Sequence, residues 1–199
     1  VYLAGGTLAI GRMRGYSGYS EFFFDGGTLQ ALSNRTDFMA GLTKAEVRTG
    51  GAVIDSSGCD VMIAQSLAHD SRDDAAAKDG GLTKLGDGTL TMTGTLGFTG
   101  DLGANGGTLD LSSATYSLAS SAGLWGNGTL VPPLTGLSLP ADGFVAPDDT
   151  NGVGTLTVNG DLTVNGDVRI RIGADGSNCG QLNVTGSLVF SEDSSLTLE

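Results

Sequence analysis

The sequence predicts an all-β fold, a parallel β-solenoid in which short strands wind into coils and each coil stacks on the next. Three observations predict it. A Gly-Gly-Thr-Leu unit and its close variants recur along the chain, at Gly5–Leu8, Gly26–Leu29, Gly106–Leu109, Asn127–Leu130 and Gly154–Leu156. The spacing is nearly fixed: Leu8 and Leu29 stand 21 residues apart, and Leu90, Leu109 and Leu130 stand 19 and 21 apart. Glycine supplies 34 of 199 residues, more than twice its usual share, while only 4 prolines accompany it. A unit this short cannot bury its own apolar face, so it must stack on its copies. A coil of roughly 20 residues accommodates three short strands joined by tight corners.

Composition fits one domain over residues 1–199. With 39% hydrophobic and 16% charged residues the chain has material for a core, which argues against disorder. The net charge of −12 makes a nucleic-acid partner unlike this chain, and the scattered acid reads as a solvated surface. There is no run of about 18 apolar residues, hence no membrane-spanning helix. Cys59 and Cys179 lie 120 positions apart, match no metal or redox spacing, and read as two unpaired thiols many rungs apart. Val1 opens directly in strand-like sequence, which leaves either a cytosolic chain or a fragment whose targeting segment lies elsewhere.

Between the first two repeats lie Arg12, Arg14, Tyr16, Tyr19 and the run Phe22-Phe23-Phe24. Alternate strand residues face opposite ways, so Phe22 and Phe24 are expected inside and Phe23 outside. Gly50–Asp55 and Asp60–Gln65 read as short buried strands around a Ser56-Ser57-Gly58 turn. Residues 66–79 are charged, Ala-rich and without alternation, and read as an extruded loop or short helix. The single histidine, His69, lies there beside Asp70 and Ser71. Residues adjacent in sequence do not converge as nucleophile, base and orienting acid must, so no triad is assigned.

The repeats are densest from Gly80. Gly-Gly or Asn-Gly supplies the positive φ of a sharp corner, Thr suits an exposed strand position, and Leu points into the core. Within this stretch Lys84 and Asp87 read as an exposed strand position and a corner. Trp125, the only tryptophan, reads as packing near a turn. Residues 131–152, with Pro132-Pro133 and Pro140, read as a less regular connection. Asp148-Asp149 lies there; a glycosidase pair needs two carboxyls about 5–9.5 Å apart around a bond, which neighbours in a loop do not supply. Then Thr157–Leu162 is echoed at once by Thr163–Val168. Asn-Gly is also a hairpin signal, but the 19-to-21 spacing and the six-residue echo favour parallel coils. Strands at 181–184, 187–190 and 196–198 carry the pattern to the end.

The run Gly80-Gly81-Leu82-Thr83-Lys84-Leu85-Gly86-Asp87-Gly88-Thr89-Leu90-Thr91-Met92-Thr93-Gly94, with Phe98-Thr99-Gly100 and Gly106–Leu111, resembles the autotransporter-associated β-strand repeat. Phe98 stands where tyrosine is common in that family, and Met92 where leucine is. Ala146–Asp161 resembles the end of such passenger regions. The resemblance implies a right-handed parallel β-helix, exported and displayed at the outer-membrane surface of a Gram-negative bacterium. It brings no catalytic, cofactor or metal residues to transfer. No barrel-like strands appear and the chain ends in a strand at Glu199, so the expectation is a fragment that abuts neighbouring coils.

The expected function is therefore non-enzymatic: a stalk or adhesin segment that contacts host or matrix glycans or proteins. Two competing readings stand beside it. One is a carbohydrate-binding module using Tyr16, Tyr19 and Trp125. The other is a polysaccharide lyase or hydrolase, which needs convergent charged groups where the lysines Lys44, Lys78 and Lys84 are scattered.

Overall fold

The structure is a computed structural model that describes residues 1–16, 18–72, 78–149, 152–174, 176 and 178–199. It is an all-β parallel solenoid with no helix among the described residues. A five-stranded sheet runs Tyr2–Leu3, Glu21–Phe24, Lys44–Val47, Leu67–His69, Leu96–Gly97. A nine-stranded second sheet runs from Thr7–Ile10 through Ala52–Asp55, Leu82–Leu85, Leu124–Trp125 and Phe144–Ala146 to Asp167–Ile170 and Ser195–Leu198. An eight-stranded third sheet runs from Met13–Arg14 through Thr89–Met92 and Thr129–Val131 to Gln181–Val184. The five-stranded sheet stops after Leu96–Gly97, and a separate three-stranded sheet (Leu137–Leu139, Leu162–Val164, Leu188–Phe190) follows later in the chain.

Alternation builds the core. In the third sheet Val61, Leu90, Leu109, Leu130 and Val158 stack in register and all point inward. In the second sheet Ala52, Leu82, Leu102, Leu124, Val145 and Val168 do the same. Phe22 and Phe24 are buried, edge to face at 4.7 Å between centroids, while Phe23 lies outside beneath the Arg48 guanidinium. The recurring Thr-Leu units do not form one column. Thr7 and Thr28 pair in the second sheet, Thr89, Thr108 and Thr129 in the third, and Leu130 faces Val158 rather than Leu156. In the six-residue echo, Thr155–Val158, Leu162–Val164 and Asp167–Ile170 are strands of three different sheets, each paired parallel, not a hairpin.

Corners need glycine where backbones meet. Gly81 has φ +70°, and a Cβ there would run into the Asp101 carbonyl of the neighbouring turn. Residues 66–79 open as strand Leu67–His69 with Leu67 buried; 73–77 lie outside the described residues. Residues 131–152 hold the strands Leu137–Leu139 and Phe144–Ala146. They also begin an antiparallel excursion in which Asp148–Asp149 pairs Gly152–Val153. Cys59 and Cys179 are free thiols. Among the described residues no helix is long and apolar enough to cross a membrane.

Lys84 departs from its expected exposed position. It is fully buried, in register with Ile54 and Ala104, and its neighbours Thr83 and Leu85 face outward. Its stem packs as an apolar rod, while Nζ donates to the carbonyls of Gly86, of Gly106 at 2.9 Å and of Leu85 at 3.4 Å. The Leu85 carbonyl also accepts from the Ser56 N–H at 3.0 Å, so the ammonium chiefly serves the Gly86 and Gly106 carbonyls of the corners.

Candidate functional site

On the second sheet, inward Leu102, Leu124 and Val145 force Gly103, Trp125 and Ala146 to the outer side. The Trp125 indole lies on Gly103: a Cβ at that glycine would stand 2.8 Å from ring carbons Cε2 and Cζ2. One strand further, the Phe144 ring covers Gly123 in the same way. Further still, the Arg169 guanidinium lies 4.3 Å over the Phe144 ring, a cation–π contact. Each side chain thus leans toward the preceding coil. The two glycines leave room for flat rings to lie on the sheet.

Beside them opens a cleft of about 290 Å³ lined by Trp125, Phe144, Asp101, Asp148, Arg169 and Arg171 among others. Its cations are paired with carboxylates: Arg169 with Asp167 at 3.0 Å, and Arg171 with Asp148 at 3.3 Å and Glu199 at 3.6 Å; the lining Asp101 in turn meets Lys78 from outside the cleft at 2.9 Å. Burial pushes the Asp167 carboxyl up, but hydrogen bonds from Arg169, Ser195 and Thr197 outweigh it and hold the group below the usual carboxylate range. The wall therefore presents fixed hydrogen-bond donors and acceptors next to an aromatic face.

Of the residues singled out in the sequence, the structure brings Trp125 and Asp148 together here. The side chain of Asp149 lies outside the description. Tyr16 and Tyr19, 76% and 85% exposed, follow the first strand of the third sheet, whereas Trp125 lies on the sixth strand of the second. At the usual strand spacing that is about 24 Å along the stack, so the three aromatics form no common platform. His69, Asp70 and Ser71 diverge: His69 Nδ1 meets Asp79 at 2.7 Å, Asp70 meets Arg72, and Ser71 accepts from Lys44. The sequence reading missed Phe144, Arg169 and Arg171. The alternating Arg169-Ile170-Arg171-Ile172 was the available signal, since period two puts both arginines on one face.

No protein-family model, curated protein or solved structure matches the chain.

Proposed function

We propose that the chain is a non-enzymatic structural segment of an exported bacterial surface protein, acting as a stalk or adhesin. In this reading three strands make each coil and the coil is right-handed. The resemblance of Gly80–Gly94 to the autotransporter-associated repeat supports export and handedness. The observation that carries the structural role is what the acid is used for. Carboxylates at the corners accept backbone N–H groups from the adjacent turn: Asp25 from Gly50, Asp60 from Thr89, Asp101 from Gly123 and Asp161 from Ser187, all at 2.7–2.9 Å. Asn34 accepts from Asp60 in the same manner, so that one corner side chain holds the next. At these solvent-accessible corners such bonds are worth about 1 kcal/mol each, and they join coil to coil along the rod.

Two measurements test this. The complete reading frame is expected to carry an export signal upstream and a translocator barrel downstream, with the protein accessible to a membrane-impermeant label on intact cells. A protein that stays unlabelled until lysis would sink the export reading. Incubation of the folded chain with neutral and acidic polysaccharides is expected to release no reducing ends or unsaturated products. Turnover abolished by Asp148→Asn would overturn the structural reading.

A further inference from the structure

We propose that the Trp125 cleft binds a neutral glycan, the pyranose ring stacking on the open face of the indole. This goes beyond the structural role, which stands without it. Three features carry it. First, the platform is built: Gly103 leaves room for the indole to rest against the sheet, and Phe144 with Arg169 walls it on the next two strands. Sugar rings present a face of C–H groups that suits an aromatic face. Second, the polar groups around it are positioned by one another. Arg171 sits between Asp148 and Glu199, and Arg169 is held by Asp167, so donors and acceptors alternate in set orientations, as vicinal hydroxyls require. Third, the pairing of each cation with a carboxylate leaves no excess positive charge to recruit a polyanion, which selects against uronic-acid chains. The volume, about 290 Å³, lies at the small end of ligand clefts and suits one or two sugar residues.

Trp125 is the only tryptophan, so fluorescence excited at the red edge, where tyrosine does not absorb, reads this site alone. Titration with cellotetraose, maltotetraose and mannotetraose is expected to give a saturable change with at least one, and polygalacturonate none. Calorimetry with that sugar should show binding weakened at least about tenfold in Trp125→Ala. Gly103→Ala keeps the indole but lifts it off the sheet. It should weaken binding and shift the emission to the red in a chain whose circular dichroism is unchanged. Arg171→Gln should weaken binding about three- to tenfold. A folded chain that responds to none of the three neutral sugars, that prefers polygalacturonate, or that binds equally well without Trp125 overturns the proposal. None of these results touches the structural reading, which depends on export and on the corner bonds.

Discussion

The strand Leu82–Leu85 has a buried charge before it and another within it, and the two serve opposite halves of the backbone. Asp79 accepts N–H groups from Gly81, Thr99 and Gly100 at 2.8–2.9 Å. Lys84 donates to carbonyls of Gly86, Gly106 and Leu85. A solenoid corner interrupts the ladder, so donors are stranded on one side and acceptors on the other. A carboxylate sits one carbon from its own backbone and reaches the adjacent corner without crossing the core. An ammonium travels along a four-carbon stem, and to reach buried carbonyls that stem takes up an inward strand position at Lys84. The acidic solution accordingly recurs along the rod, whereas Lys84 is the one fully buried cation among the described residues. The negative charge of the chain is in part a corner device.

Removing the anion should cost most. Asp79→Ala strands three backbone donors at a site whose side chain is only 1% exposed, and removes one of the two partners of His69 Nδ1. The expected loss is about 3–5 kcal/mol, read by urea unfolding followed by circular dichroism. The same substitution at Asp101, whose side chain is 33% exposed, removes one backbone bond and a solvent-accessible ion pair with Lys78 and should cost about 1–2 kcal/mol. Equal losses at the two sites would break the argument that burial makes the corner acid matter.

The cation should show a smaller loss at neutral pH and a pH signature of its own. Lys84→Met keeps the apolar stem but takes the ammonium donor from the Gly86 and Gly106 carbonyls, at a cost of about 1–3 kcal/mol. Burial lowers the Lys84 pKa from its usual 10.5 to about 8, against the pull of Asp55, Asp87 and Asp60. Below pH 8 both folded and unfolded chains hold the proton. Between about 8 and 10.5 the unfolded chain still holds it while the folded chain releases it, so stability rises with pH. Relative to Lys84→Met, the native chain should therefore gain about 2 kcal/mol between pH 7 and 9.5. A difference that stays flat or shrinks over that range would show that the amine keeps its proton in the fold.

Much of this architecture was legible because it is local. Glycine corners, period-two strands and the 19-to-21 spacing each follow from neighbouring residues, and Phe22 and Phe24 point inward as alternation requires. What escaped depends on register between coils. Alternation around Lys84 offers Leu82 and Leu85 as rival core positions. Only pairing with Ile54 and Ala104 decides that Lys84 goes in and Leu85 out. The acids read as surface because their partners lie 20 to 29 residues away. The cleft was hidden for the same reason: Trp125 meets Arg169 and Arg171 only through intervening strands, while Tyr16 and Tyr19 shared its chemistry but not its coil.

The smallest effect should come from a buried polar group that serves no corner. Tyr116 is 8% exposed, its ring 5.1 Å from that of Phe98, and its hydroxyl is buried without a hydrogen-bond partner among the described residues. Burial pushes the phenol above its usual range. Asp79 and Lys84 offset their desolvation by satisfying backbone, but the Tyr116 hydroxyl has nothing to set against its own. Tyr116→Phe keeps the ring and its contact with Phe98 while deleting the stranded group. It should leave stability unchanged or raise it by up to about 1 kcal/mol. A loss of more than about 1 kcal/mol in urea unfolding would mean that the hydroxyl does satisfy a buried partner, and the contrast with the two charged residues would fail.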